Sequence, residues 1–313
     1  MNEDENKKTE EEPEKEERVY DLSKTTDLVS AFRDGLSEEK IKSLISNHIE
    51  KLISTSGVNK DYEVVFLFDE DRSISSYHSN KIYEAVKDID KKNILMILQS
   101  GGGQIEPAYL ISKACKRLCK AKFNVTIPRK AKSAATLIAL GASEIHMGLL
   151  SELGPIDPQF GGFPALGLSN AMEKIAAMSE RYPKASDMFA KYLTENVNIR
   201  HLGLFERVNE SAAQYAERLL MGKELPDGKT PDILADHFTN HYKDHGFVID
   251  SDEASSLLGR KMIKEGSKEY ELGNTIYDFL SFVQFLYSFI LKKDMRYVGS
   301  VKSGLDLNEK ESD

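Results

Sequence analysis

The chain has 313 residues, which is enough for one large domain or two small ones with a full hydrophobic core. Hydrophobic residues make up 40% of it and charged residues 30%, and the formal net charge is -9 at pH 7. An acidic chain lacks the basic face that nonspecific nucleic-acid binding needs, so no nucleic-acid partner is predicted.

The N-terminal end differs in composition from the rest of the chain. It holds nine acidic and four basic residues and almost no apolar ones, so residues 1–18 are predicted to form a disordered acidic tail. No apolar segment follows a basic start, which gives no secretory signal, and the expected location is cytoplasmic. Cys115 and Cys119 are interpreted as free thiols in a reducing compartment.

A helical arm is predicted over residues 19–58. Apolar side chains recur there at the spacing of one helix face: Ile41, Leu44, Ile45, Ile49 and Leu52. A turn-rich stretch at 54–59 closes the arm. We expect the arm to pack on the core or on a neighbouring subunit.

Short apolar runs alternate with helical patterns in the middle of the chain. Strands are predicted at 63–69, 94–98 and 123–127 and near Ile145, with helices at 76–89 and 104–120 between them. Runs that are apolar throughout are typical of buried parallel strands, and their alternation with helices gives right-handed βαβ units. The predicted class is therefore α/β, with the main domain over 59–262.

Two turns follow strands of this sheet and precede helices. One is the glycine run from Gly101 to Gly103, and the other is Lys132-Ser133, which opens an Ala-rich helix. In α/β folds, sites form at the carboxyl ends of the strands, so the two turns are expected to converge. The glycine run has neither the lysine of a P-loop nor the GxGxxG spacing of a dinucleotide site. Ser133 is interpreted either as a nucleophile or as an ordinary helix N-cap.

A third loop, residues 151–162, holds two prolines and three glycines and follows the fourth strand. It is either a rigid connection or part of the site. Beyond the main domain, residues 263–294 are predicted to form a C-terminal helical segment. Its aromatic stretch is expected to dock or to make an assembly contact, with membrane-surface association as the alternative. Residues 295–313 are predicted to be a polar tail.

Taken in this order, the motifs resemble the Clp-protease and crotonase superfamily. Within it they resemble most the serine dehydrogenase proteinase family, which is related to signal peptide peptidase A and the stomatin-operon proteases. The segments that carry the resemblance are 132–142, 151–159 and 245–249, and it covers roughly residues 60–260. It implies a Clp/crotonase-like fold of repeated β-β-α and βαβ units with extra N- and C-terminal helices. It also implies a serine peptidase without a cofactor, a peptide or protein substrate, and a homo-oligomer.

The resemblance assigns roles to particular residues. Ser133 matches the nucleophile, and the N–H of Ala134 with that of Gly103 or Gly102 would form the oxyanion hole. The chain departs from the family pattern at Gly101, which stands where proline is usual. That difference changes the stiffness of the turn and not its donors.

The general base is less direct to assign. Clp peptidases carry a histidine in the loop after the fourth strand, and here Asp157 falls near that place. His146 lies on the preceding strand and is a second candidate. The related Ser–Lys proteases carry a lysine on the helix after the loop, and Lys174 matches that position, so it is the predicted base. Asp157 is expected to orient the base, to belong to a substrate loop, or to cap the loop.

Two other functions stay open at this stage. The chain is alternatively a catalytically inactive Clp-fold assembly that binds peptide or a partner, or a crotonase-type enzyme acting on acyl-CoA. His237, His241 and His245 recur every four residues, but the glutamate of a His-Glu-x-x-His zinc protease is absent, so no metal is predicted. An ATPase or a membrane-associated partner stays open as well.

Overall fold

The computed structural model describes residues 18–89, 92–160, 163–196 and 199–309. It has an α/β architecture, as predicted. The strands are β1 Tyr62–Asp69, β2 Asn93–Ser100, β3 Phe123–Thr126, β4 Lys130–Ala131, β5 Glu144–His146, β6 Glu152–Leu153, β7 Gln159–Phe160, β8 Phe163–Pro164, β9 Ile263–Lys264, β10 Lys293–Ser300 and β11 Leu305–Glu309. The α-helices are α1 Thr25–Arg33, α2 Glu38–Ser56, α3 Ser76–Val86, α4 Ile105–Leu118, α5 Ala134–Leu140, α6 Ala165–Arg181, α7 Ser186–Asn196, α8 Ile199–Leu220, α9 Pro231–Asp236, α10 Ser251–Leu258 and α11 Lys268–Leu286.

One large sheet has the strand order β11-β10-β1-β2-β3-β5-β9. The path from β1 to β9 is parallel, and β10 and β11 extend it antiparallel beside β1. The short strand β4 continues beyond β3 and pairs with the end of β2 at Ser100, and β6 pairs with β4. The carboxyl ends of β2 and β4 therefore lie side by side, as expected for a site in this class.

The sheet is buried on both faces, which explains why residues 64–68 of β1 and 94–98 of β2 are all apolar. Val65 and Leu67 face a core beneath α3, α4, α5 and α8, whereas Phe66 and Phe68 face a second core beneath α1, α2 and α11. Successive side chains of a strand point to opposite faces, so each strand needs an apolar side chain at every position.

The N-terminal arm forms two helices instead of one. Its pattern is broken at Gly35, which has a φ of +70° between α1 and α2. That conformation costs little for glycine and ends the helix. Both helices pack on the second core, which is the first of the two alternatives expected for the arm. The predicted acidic tail lies outside the described residues, apart from Arg18.

The prediction of a polar tail over 295–313 is wrong for residues up to Glu309. Residues 293–309 form the antiparallel pair β10 and β11 at the edge of the sheet. Met295 and Tyr297 are buried in the second core and Val298 in the first, so alternate positions supply the apolar faces of a strand. The charged residues between them hid that pattern. None of the described helices has the length and apolar character needed to cross a membrane.

Candidate active site

Ser133 occupies a strained turn between β4 and α5. Its φ is +51° and its ψ is −121°, a conformation that non-glycine residues seldom adopt. Although Ser133 stands at the N-cap position, its side chain accepts no hydrogen bond from the first turn of α5. Strain at a residue that does not cap is typical of functional sites, where the backbone presents a side chain to a ligand.

The glycine turn after β2 packs directly against Ser133. A Cβ atom added to Gly102 would lie 2.7 Å from the Ser133 Cβ and 2.7 Å from the Lys132 carbonyl oxygen. Gly102 has a φ of +107°, which also favours glycine. Position 102 therefore requires glycine for two reasons, the close contact and the positive φ. The contact brings together the two turns that were predicted to converge.

Two backbone N–H groups beside Ser133 lack an acceptor within the described part of the chain, namely those of Gly103 and Ala134. Ile74 bonds the residues on each side of Gly103: its N–H donates to the Gly102 oxygen (2.8 Å), and its oxygen accepts from the Gln104 N–H (2.8 Å). In a parallel bridge of this kind, the bonds run to the residues on either side of the middle one, so the Gly103 N–H is not used by Ile74. The Gly102 N–H instead donates to the Ser100 hydroxyl at 3.2 Å.

A histidine and a carboxylate meet on the other side of the site. His245 Nδ1 lies 2.6 Å from Asp157 Oδ1, and the Gln159 side-chain amide donates to Asp157 Oδ2 at 3.0 Å. The Asp157 side chain is only 4% exposed, whereas that of His245 is 31% exposed. A carboxylate oxygen accepts hydrogen bonds, so this contact fits the His245 tautomer in which Nδ1–H donates to Asp157 and Nε2 is free to accept a proton.

The serine turn, the glycine turn and His245 meet at one cavity of about 630 Å³. Its wall includes Ser133, the glycine run 101–103, Gln159 and His245. The remaining wall comes from residues 70–73 after β1, from the start of α4, and from Pro158 and Val208. A volume of this size suits a few residues of a peptide or a small molecule.

Backbone hydrogen bonds hold the two halves of the histidine–carboxylate pair together. Leu153 and Ile249 exchange both N–H···O bonds of an antiparallel bridge, at 2.9 and 3.1 Å, and the Ile156 N–H donates to the Phe238 oxygen at 2.8 Å. These bonds hold the loop before Asp157 against the segment after His245. Thr136 in α5 joins this loop to the serine turn, since its hydroxyl donates to the Ala131 oxygen and accepts from the Gly154 N–H.

The other predicted site residues lie elsewhere. Lys174 is exposed on α6 and is not among the described residues that line the cavity. His146 is buried on β5, where its Nδ1 contacts the Ser267 hydroxyl at 2.8 Å and burial lowers its pKa. It belongs to a polar network with Asn124 and does not line the cavity.

The histidine stripe is divided between two environments. His237 and His241 stack with ring centroids 4.2 Å apart on a π-helical turn that continues α9, and His245 lies beyond the end of that turn. Among the described residues, no three His, Cys, Asp or Glu side chains are close enough together to share a metal ion.

Comparison with known proteins identifies the family of the chain. The family model described as ClpP-like SDH-type serine proteinase matches residues 67–223, half of the chain. The chain belongs to this family. The matched segment contains Ser133, the glycine run 101–103 and Asp157. The α/β fold is the Clp-like fold predicted from the motifs.

Two uncharacterized proteins of Methanocaldococcus jannaschii are similar in sequence. MJ0137 is 32% identical over 145 residues, which are 45% of this chain and 50% of MJ0137. MJ1495 is 41% identical over 76 residues, 24% of this chain and 26% of MJ1495. The chain thus spans half or less of the length of each relative.

Two structures of the 1510-N membrane-bound stomatin-specific protease are also similar. One is a serine-to-alanine mutant, and the other is a lysine-to-alanine mutant in complex with a substrate peptide. Both are 14% identical to this chain and cover 65% of it, with 79% and 75% of their own chains matched and a TM-score of 0.42.

Sequence reasoning did not identify His245 as a site residue. It placed His245 in a histidine stripe and in a family motif, and it placed Asp157 near the position of the missing histidine. Together, these two observations could have identified His245, because a carboxylate in the histidine's place needs a histidine from elsewhere in the chain. Only the fold brings together residues that are separated by 88 positions.

Proposed function

We propose that the protein is a serine peptidase that hydrolyses peptide bonds through an acyl-enzyme on Ser133. The observation that carries this proposal is the strained turn of Ser133, packed on Gly102 in a cavity that His245 also lines. Membership of a serine proteinase family supports the reaction class. The alternative, an inactive peptide-binding assembly, would have no need for a strained serine backbone.

The proposed reaction starts with attack by Ser133 Oγ on the peptide carbonyl carbon. The base takes the hydroxyl proton, and the tetrahedral oxyanion accepts hydrogen bonds from the N–H groups of Gly103 and Ala134. The base then gives its proton to the leaving amine, and water hydrolyses the acyl-enzyme by the reverse sequence. Loss of one oxyanion donor typically costs about 3 kcal/mol in the barrier. Gly102 contributes mainly by packing, because its N–H is bonded to Ser100.

Two residues compete for the role of base. The family resemblance favours Lys174, which stands exposed on α6. The geometry favours His245, because it lines the same cavity as Ser133 and its ring is oriented by a buried carboxylate 2.6 Å away. A base has to come within hydrogen-bond reach of the nucleophile. We therefore propose Ser133, His245 and Asp157 as nucleophile, base and orienting group, with Lys174 as the candidate that this assignment replaces.

The finer features of the proposal follow from the family resemblance. We propose a peptide or protein substrate and a homo-oligomeric enzyme, with no cofactor and no nucleic-acid partner. The free cysteines, one of them buried at Cys115, agree with a reducing compartment such as the cytoplasm.

The test is hydrolysis of a mixture of unstructured fluorogenic peptides by the wild type and by the Ser133→Ala, His245→Ala and Lys174→Ala variants. We expect Ser133→Ala to abolish hydrolysis and His245→Ala to reduce kcat by at least about 1000-fold. Lys174→Ala should stay within a few-fold of the wild type. Hydrolysis that survives in Ser133→Ala would refute the proposed function, and a selective loss in Lys174→Ala would return the role of base to the lysine.

A further inference from the structure

Lys132, the residue before the proposed nucleophile, reaches the segment that carries the proposed base. Its ammonium Nζ lies 2.9 Å from the Phe247 oxygen and 3.4 Å from the Gly246 oxygen. It also lies 3.3 Å from the Leu153 oxygen and 2.8 Å from a carboxylate oxygen of Glu152. The Lys132 side chain is only 14% exposed.

We propose that Lys132 is a positioning residue that fixes His245 against Ser133. The inference rests on the proposed function, and it adds a role that neither motif nor fold assigns. Lys132 touches none of the reacting atoms in this scheme. It acts through His245 by holding the carbonyl groups of the two residues that follow it.

Two features of the surroundings favour this contact. The lysine stem runs over Gly154, where an added Cβ would lie 2.6 Å from Lys132 Cδ, so the glycine leaves room for the side chain. The three N–H groups of the ammonium are shared among four oxygen atoms within 3.4 Å, and charge-assisted hydrogen bonds are the stronger kind. Lys132 thereby joins the serine turn, the loop before Asp157 and the segment after His245.

The arrangement explains why a cation stands beside the nucleophile without serving as its base. Four oxygen atoms from two segments surround Nζ, and one of them is the Glu152 carboxylate. The antiparallel bridge between Leu153 and Ile249 does not involve this ammonium. The segment should therefore stay folded, while His245 loses its fixed position.

The first experiment is a double-mutant cycle on the second-order rate of labelling by a fluorophosphonate. It compares the wild type, Lys132→Met, His245→Ala and the double variant, and Met keeps most of the lysine stem. We expect Lys132→Met to label about 10- to 100-fold more slowly, the size of effect that a small misplacement of a catalytic group produces. The double variant should label as slowly as His245→Ala alone, because Lys132 acts only through that histidine. A double variant slowed by the product of the two effects would overturn the proposal, as would wild-type labelling in Lys132→Met.

Lys293→Met is the matched control. Lys293 is also partly buried and ion-paired, with Glu38 at 2.6 Å, but it lies on β10, the second strand from the edge of the sheet. Its loss should lower the melting temperature without changing the labelling rate. Gly154→Ala is the second variant should Lys132→Met not fold, since the methyl group displaces the lysine stem and keeps the ammonium. It should also slow labelling, and it should have no further effect once His245 is alanine.

A readout independent of catalysis is the ring Cε1–Hε1 resonance of His245 in the inactive Ser133→Ala protein, assigned by comparison with His245→Ala. Lys132→Met should shift or broaden this resonance, whereas Lys293→Met should not. If no wild-type protein is labelled, the proposed function fails on its own, and the resonance still decides the role of Lys132. An unchanged resonance in Lys132→Met would overturn the inference.

Discussion

Replacing Gly102 with alanine tests most sharply how the two turns fit together. The new Cβ would lie 2.7 Å from both the Ser133 Cβ and the Lys132 oxygen, and 3.2 Å from the Ala134 nitrogen. Atoms this close must move apart, and the φ of +107° at Gly102 is itself unfavourable for alanine. The substitution therefore pushes the serine turn away from the glycine turn.

Two costs set the expected magnitude. Backbone strain at a positive φ costs about 1–3 kcal/mol, and overpacking of a close contact costs a further 1–3 kcal/mol. We expect Gly102→Ala to lower the free energy of unfolding by about 2–6 kcal/mol. A nucleophile displaced by a fraction of an ångström to an ångström loses about 100-fold in rate, so fluorophosphonate labelling should slow by at least that factor.

The neighbouring glycine supplies the control. A Cβ on Gly101 would meet its nearest atom, the Glu70 oxygen, at 4.0 Å, an ordinary contact. Gly101→Ala should therefore stay within about 0.5 kcal/mol of the wild-type free energy of unfolding, a typical value for substitutions away from packed sites. Urea denaturation and the labelling rate are measured on both variants. Equal stability and equal labelling of Gly102→Ala and Gly101→Ala would refute the packing of the two turns described here.

Three further predictions follow from the site and its surroundings. Ser133→Gly should be more stable than Ser133→Ala by about 1 kcal/mol in urea denaturation, because glycine relieves the strain at φ +51° while both variants lose the hydroxyl. Asp157→Asn should lower kcat for peptide hydrolysis by about 10²–10⁴-fold with little change in KM, because an amide no longer fixes the ring and tautomer of His245. Burial and the Lys116 ammonium lower the pKa of Lys223 to about 7 in the folded protein, against about 10.4 when unfolded. The unfolded state holds more protons between these values, so the free energy of unfolding should rise from pH 7 to 10 by up to about 1.4 kcal/mol per unit, and Lys223→Met should remove that rise.

Much of the fold could be predicted because the buried strands have a distinctive apolar pattern in the sequence. The run from Glu63 to Asp69 is apolar at nearly every position, and only a strand covered on both faces needs that pattern. The pair β10 and β11 could not be read in this way. Charged and polar residues alternate there with Met295, Tyr297 and Val298, and composition alone favours a tail over an edge strand.

The serine and glycine turns of the site could be predicted from the sequence, whereas the contact between His245 and Asp157 could not. Ser133 and the glycine run stand next to strands that are adjacent in the sheet, so topology alone brings them together. His245 reaches Asp157 from a segment nearly ninety positions away, after four intervening helices whose packing no local pattern specifies. Lys174 matched the family by position along the chain, but position does not reveal the direction in which a side chain of α6 points.

The central claim is that Ser133 is activated by His245. The most direct measurement is fluorophosphonate labelling of the wild type and of His245→Ala and Lys174→Ala, with the adduct located by peptide mass spectrometry and folding checked by circular dichroism. We expect a single adduct on Ser133 of the wild type, labelling that is nearly lost in His245→Ala, and labelling that is retained in Lys174→Ala. An adduct on another residue, or undiminished labelling of folded His245→Ala, would contradict it.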